Sequence, residues 1–251
     1  MPKNSRFFVV IMIPKTIHYC WFGKGEMPEL AQKCIESWHK YLPDYEYKLW
    51  NEESFGVNSI PYTKEAYQAR KFAFVTDYVR LWALYNEGGV YMDTDVEILK
   101  PLDDLLHLSA FTGYEGSKTQ PPVTGLMASA PHGKWVKEQL EAYQDAHFIN
   151  EDGSFDMTTN TVRISTIMRD NGFVQDGKYH VYKDLHVFPT DYFCPRQTTG
   201  EFFLTENTYC DHHFMGTWTK HEKGWKALLL SLFGQRGRIW IIKAKRKFEN
   251  L

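Results

Sequence analysis

The sequence is short of cysteine, of long apolar runs and of net charge, and each shortage closes off a class of explanation. Four cysteines, at positions 20, 34, 194 and 210, form no Cys-x-x-Cys pair and fall in segments that read as strands or a helix. Neither a disulfide framework nor a zinc site is favoured, and a reducing cytosol is the simpler compartment. The most suggestive apolar run, Phe7 to Ile13 behind Lys3 and Arg6, is far too short to span a bilayer as a helix, and no small-residue cleavage site follows it. With 251 residues, 43% of them hydrophobic, and a formal charge of −2, the chain shows no sign of disorder and has enough apolar material for one sizeable α/β domain.

What is present is concentrated between Ala73 and Leu99. Phe74, Tyr78, Leu81 and Tyr85 recur at helical spacing, with Val75, Val79 and Trp82 on a neighbouring stripe, so a largely buried helix is expected. Asp77 and Arg80 lie three residues apart within it and share a face, either as a buried ion pair or opening onto a cavity. Gly88 and Gly89 end the helix and turn the chain into the strand Val90-Tyr91-Met92. If that strand continues, Asp93 and Asp95 point to one side, roughly 6–7 Å apart at their backbones. Two carboxylates so placed suit a hard divalent cation, Mn²⁺ or Mg²⁺, with phosphates and water completing its shell.

The remaining segments read as an α/β alternation. Ile13–Phe22 is a first strand, with Trp21 at its carboxyl end, where ligands collect on an open sheet. A helix over Pro28–Tyr41 buries Leu30, Cys34, Trp38 and Leu42, a second strand runs Tyr45–Trp50, and a helix starts near Pro61. His18 reads as a packed structural histidine. Further strands are expected over Ser109–Tyr114 and Val123–Ser129, with helices over Gly133–Phe148 and Asp156–Gly172. Between those strands Glu115–Pro122 is a polar loop near the presumed site.

Thr76-Asp77-x-x-Arg80 followed by Gly88-Gly89-Val90-Tyr91-x-Asp93-x-Asp95, together with the opening Ile13-Pro14-Lys15-x-Ile17-His18-x-x-Trp21-x-Gly23, resembles the DXD-containing sugar-nucleotide glycosyltransferases of family 32, relatives of the glucosylating toxin domains and the α-1,6-mannosyltransferases. His212-His213-x-x-Gly216-x-Trp218 is similar to that family's closing motif, with Thr217 where serine is common. The resemblance implies a GT-A fold, a Rossmann-like nucleotide-diphospho-sugar transferase domain over residues 12–219, and retention of anomeric configuration. It implies base stacking at Trp21, donor contacts and the chemistry at Asp77, Arg80, Asp93 and Asp95, and a cover over the diphosphate at Trp218; Thr76, Gly89, Tyr91 and, in the opening of the Asp156–Gly172 helix, Asn160 are further candidate donor contacts. Adjacent histidines on a strand face opposite ways, so one of them joins Asp93 and Asp95 on the metal. His213 is the first choice and His212 the second. The aromatics of Tyr179–Pro195 are either an acceptor platform or core.

Residues 1–11 read as an upstream extension, with Met12 as the natural start. The tail 220–251 holds nine Lys and Arg against two Glu, a net +7 that leaves −9 for the rest. With Trp225, Leu228, Leu229, Leu232 and Phe233 on one face it reads as a basic amphipathic helix, either seeking an anionic membrane surface or packed on the domain. Nucleic acid does not suit an otherwise acidic chain. The expected reaction is hexosyl transfer from a nucleotide sugar, UDP-sugar favoured, to a glycan or lipid-linked acceptor in surface or capsular polysaccharide synthesis, in the cytoplasm or peripherally on the inner face of the membrane. A haloacid-dehalogenase-like phosphatase and a non-catalytic sugar- or metal-binding module are the alternatives.

Overall fold

The computed structural model describes residues 12–116, 121–123, 125–196 and 202–216. The proposed extension 1–11, Trp218 and the basic tail lie outside these residues.

The chain opens as β1 (Thr16–Cys20), α1 (Glu29–Tyr41), β2 (Glu46–Trp50), α2 (Pro61–Gln68), α3 (Phe72–Glu87) and β3 (Gly89–Met92). β1 lies between β2 and β3, parallel to both, which gives the nucleotide-type α/β half expected ahead of the two aspartates. After β4 (Val96–Ile98) come β5 (Ala110–Gly113), β6 (Leu126–Ser129), α4 (Lys134–Glu141), α5 (Asn160–Asp170), β7 (His180–Tyr182), β8 (Leu185–Phe188), α6 (Thr190–Phe193) and β9 (Cys210–His212). The main sheet runs β2-β1-β3-β6-β5-β8-β7, and β4 pairs with β9 in a separate two-stranded ribbon.

Two apolar layers sandwich the sheet, and the alternation of β3 shows why. Tyr91 packs into the layer built with α2, α3, α4 and α5, whereas Val90 and Met92 face the layer of Trp38, Ile98 and Phe193. On α1 the buried stripe is Ala31, Cys34, Trp38 and Leu42; Leu30 is only half-buried. Trp38 ties α1 to β4 by donating its indole N–H to Val96 O at 2.7 Å, and Ser37 Oγ accepts from Ile98 N at 2.9 Å.

The glycine pair does as its sequence suggests, with φ of +69° at Gly88 and +109° at Gly89. Gly89 is needed for a second reason. A Cβ there would stand 2.5 Å from Thr16 O, because β1 and β3 close directly over it. His18 is fully buried beside this turn, with Nε2 at 2.7 Å from Gly88 O and Nδ1 accepting from the Trp50 indole at 3.1 Å, and burial holds its affinity for protons down. It is the packed histidine expected. All four cysteines are buried and free.

Candidate active site

A cleft of about 560 Å³ opens beside the carboxyl ends of β1 and β3. Its wall includes Trp21 from the end of β1, Thr76, Asp77 and Arg80 from α3, Tyr91, Asp93 and Asp95 after the glycine turn, Asn160 from α5 and His212 from β9.

The two aspartates do not extend β3, as the strand reading had them. β3 stops at Met92, and Val96 N donates to Asp93 O at 3.0 Å, closing a turn over Asp93-Thr94-Asp95-Val96. The turn, not a pleat, aims both carboxylates at the cleft. Asp93 N is held by Gly125 O at 2.7 Å, and Tyr91 donates its hydroxyl to Asp93 Oδ1 at 2.8 Å.

Arg80 joins the two ends of the site. Its Nη2 lies 3.2 Å from Asp77 Oδ1 and 3.2 Å from Asp93 Oδ1, and its guanidinium carbon sits 4.6 Å from the centre of the Tyr91 ring. Asp77 Oδ2 accepts from Asn160 N, the first residue of α5, at 3.1 Å. Burial pushes the Asp77 carboxyl up to about 6, and the charge of Asp93 adds to this, while Arg80 and the Asn160 amide oppose it. The side-chain oxygen of Asn160 is buried without a partner, a polar atom left for something in the cleft.

The choice between the histidines comes out the other way from the expectation. His212, not His213, stands with the aspartates: its Nε2 is 3.3 Å from Asp95 Oδ1, and one atom each of Asp93, Asp95 and His212 lie within 4.8 Å of one another. The cause is register. β9 pairs antiparallel with β4 so that His212 faces Val96 and Asp211 faces Glu97. His213 therefore turns to the other side, with Nε2 at 2.8 Å from Glu97 Oε2, while its backbone N–H donates to Asp95 O at 3.0 Å. Burial works to lower the proton affinity of His212, but the charge and hydrogen bond of Asp95 outweigh it and hold the imidazole well above its ordinary value. Asp95 is correspondingly held low by His212, with Met215 N donating to its Oδ2 at 2.7 Å. The Cys194 thiol also interacts with the His212 ring. Two carboxylates and an imidazole, held within 4.8 Å of one another, form a donor set whose chemistry fits Mn²⁺ or Mg²⁺.

Gly89 is a second correction. It sits at the far end of β3 from Asp93 and lines no part of the cleft; its place is in the β1–β3 closure. Trp21 does line the cleft, half-buried, with its ring fixed by an indole donation to Gly25 O at 2.6 Å. The aromatics of Tyr179–Pro195 contribute nothing to the described cleft wall: Phe193 is buried and stacks on Phe111, Phe188 and Tyr192 pack half-buried against it, and Tyr179 is exposed.

Two participants went unread in the sequence. Glu115 comes from the polar loop after β5 and lines the cleft, where burial raises its carboxyl and the charges of Asp93 and Asp95 add to that against the pull of His212. Gly125 faces the metal-type trio so closely that a Cβ would stand 2.9 Å from Val96 Cγ2, 3.1 Å from Asp93 Oδ2 and 3.2 Å from His212 Cε1. The sequence places Glu115 in the polar loop near the presumed site and Gly125 beside a strand, and singles out neither.

Residues 28–112 match the family described as a glycosyltransferase sugar-binding region containing a DXD motif, which spans α1 to β5 and includes Asp77, Arg80, Asp93 and Asp95. The chain is 40% identical over 106 residues to inositol phosphoceramide mannosyltransferase 3 of Schizosaccharomyces pombe, a match over 39% of this chain and 29% of that protein. It is 32% identical over 151 residues to a mannosyl phosphorylinositol ceramide synthase of Saccharomyces cerevisiae, covering 55% of this chain and 38% of that one. The chain thus spans about a third of the length of the curated relatives it matches. Among solved structures, the PaToxG glycosyltransferase aligns with a TM-score of 0.49 at 16% identity, over 64% of this chain and 70% of the other. The resemblance to DXD-containing glycosyltransferases stands over residues 28–112, and the expected α/β architecture is observed around the seven-stranded sheet.

Proposed function

We propose, for a chain whose residues 28–112 match a DXD-containing glycosyltransferase sugar-binding region, that the cleft binds a nucleotide diphosphate sugar and transfers its hexosyl unit to a hydroxyl acceptor with retention of configuration. The observation that carries this reading is the convergence, in one cleft, of the Asp93–Asp95–His212 trio with the Asp77–Arg80–Asn160 group.

The residues divide the labour by position. Asp93, Asp95 and His212 would hold Mn²⁺ or Mg²⁺, which supplies charge neutralisation for a leaving diphosphate. Asp77, fixed by Arg80 and the Asn160 amide, accepts hydrogen bonds from sugar hydroxyls, and the unpartnered Asn160 side-chain oxygen accepts another. Arg80 stands between the sugar end and the diphosphate end and adds a fixed positive charge where negative charge grows. Trp21 offers its ring to the base. Asp77 is engaged by two partners and is poorly placed as a covalent nucleophile, so retention is assigned to front-face attack, with the departing phosphate taking the acceptor proton.

UDP is favoured as the nucleotide through the stacking role of Trp21, while the names of the relatives bring mannose forward as the sugar. The acceptor is assigned to a glycan or lipid-linked glycan. A capsular or surface-polysaccharide role, a cytoplasmic location and contact of the 220–251 tail with anionic lipid belong to the same proposal. No helix among the described residues is long and apolar enough to cross a membrane.

Calorimetry of UDP and GDP, each with Mn²⁺ and with EDTA, tests the donor assignment, and NMR of the product sugar tests the stereochemistry. Binding of UDP that needs Mn²⁺ and exceeds that of GDP by about tenfold, with retained configuration, is expected. Preference for GDP overturns the base assignment, and an inverted product overturns the stereochemical one.

A further inference from the structure

One anchored segment beside the cleft holds large apolar side chains in water. From Phe148 the chain makes a hairpin, with Ile149 and Phe155 paired as an antiparallel bridge, and runs through Met157 into the first turn of α5. Ile149, Phe155, Met157 and Val162 are 38%, 42%, 49% and 55% exposed.

Looseness does not explain that exposure. Glu65 Oε2 accepts from the backbone N–H groups of Phe148 and Ile149 at 2.8 and 3.0 Å, anchoring the hairpin to α2. Phe155 stacks on Phe148 at 5.3 Å between ring centres, and Phe148 packs on Phe74 at 5.0 Å. Asp156 Oδ2 takes Arg163 Nη2 at 2.6 Å, which draws the segment before α5 across the helix's first turn. A fixed shelf with four large apolar groups turned outward forgoes their burial and marks a contact surface.

Its neighbours say what the contact is. Thr159, Asn160 and Thr161, which separate Met157 from Val162, line the cleft at the Asp77 end, and so does Phe74, at the base of the Phe148–Phe155 stack. The shelf is therefore continuous with the sugar end of the cleft and distant in the chain from the Trp21 end. Other exposed apolar groups among the described residues, Phe202-Phe203-Leu204 and Val174, Tyr179 and Val181, line no part of the cleft.

We propose that this shelf seats the apolar part of an amphipathic acceptor, a lipid whose hydroxyl-bearing head reaches the Asp77 end of the cleft while its chain lies across Phe155, Met157 and Val162. The assignment rests on the reading of the cleft as a donor site. The Asp77 end of the cleft presents Thr76, Asp77, Arg80 and Asn160, and the shelf beside it presents Phe155, Met157 and Val162, so this part of the surface has the same head-and-tail division as the ligand.

The test uses the full chain with Mn²⁺ and UDP, photolabelled by a dodecyl α-mannoside carrying a diazirine at the end of its chain, below its micelle concentration. Peptide mass spectrometry should find the label concentrated in residues 148–162. It should fall by about tenfold in the double variant Met157→Ser, Val162→Ser, whose changes are at exposed positions and whose melting temperature serves as the folding control. Label spread evenly, label concentrated at 202–204 or in 220–251, or label undiminished in the variant overturns the shelf. Wild-type hydrolysis of nucleotide sugars is measured separately: its absence alongside a labelled shelf overturns the donor reading, and with it the acceptor role, while leaving an apolar binding surface in place.

Discussion

Asp77 and His212 are the two residues whose environments make the sharpest demands. Asp77 is buried, and its carboxyl titrates near 6 in the folded protein, above its unfolded value near 3.8. The folded state therefore binds this proton more tightly. The resulting stabilisation is complete below the unfolded value and is lost as pH rises through about 6. Across pH 4 to 7.5, denaturant unfolding of the wild type should lose on the order of 2–3 kcal/mol relative to Asp77→Asn, and a difference that stays constant with pH would contradict a buried titrating carboxyl. Under the proposed role of Asp77, donor binding has the opposite sign, because only the carboxylate would accept from sugar hydroxyls on both oxygens: affinity should fall as pH drops below about 6. His212 and His213 separate the two readings of the histidine pair. His212→Ala should abolish the thermal stabilisation of several degrees that excess Mn²⁺ gives, while His213→Ala, which loses a contact to Glu97, should keep it. Stabilisation lost only in His213→Ala would reverse the assignment.

At the scale of elements, three short segments do the positioning. The β3–β4 turn aims Asp93 and Asp95, the loop before β6 brings Gly125 against them, and β9 delivers His212 through its register with β4. Gly125→Ala should leave the fold intact yet weaken Mn²⁺ binding by about tenfold, because the added methyl meets Asp93 and His212 side chains that must shift; unchanged affinity would show that the trio has slack. Gly89→Ala should act on the fold instead, costing about 2–4 kcal/mol in denaturant unfolding through the clash with Thr16 O and the positive φ. Donor affinity of the folded fraction should not change, and a selective loss of donor binding would restore Gly89 to the site. These elements were unequally legible. The buried helix, its glycine stop and the strand behind it declared themselves through apolar periodicity and backbone chemistry. Asp-x-Asp looks the same on a strand and in a four-residue turn, so the turn did not show. Nor could sequence say which adjacent histidine faces inward, since that depends on pairing between strands more than a hundred residues apart.

Across the whole molecule, the parallel β2-β1-β3 half and the mixed extension through β6, β5, β8 and β7, in which only β5 and β8 pair parallel, form a platform with apolar layers on both faces, and the cleft lies where the strand ends of the first half meet the loops of the second. That division explains what could be read in advance. Asp77, Arg80, Asp93 and Asp95 all come from one continuous stretch of the first half, whereas Glu115, Gly125 and His212 arrive from the second half and are joined to the site only by folding. The most direct measurement is acceptor-free hydrolysis of a panel of UDP- and GDP-sugars by the full chain with Mn²⁺, Mg²⁺ or EDTA, run beside Asp95→Asn. Release of sugar from one donor, dependent on Mn²⁺ or Mg²⁺ and lost in the variant, is the predicted result; equal release in EDTA, or no hydrolysis together with no binding of any nucleotide in the panel, would contradict a metal-dependent sugar-nucleotide site in this cleft.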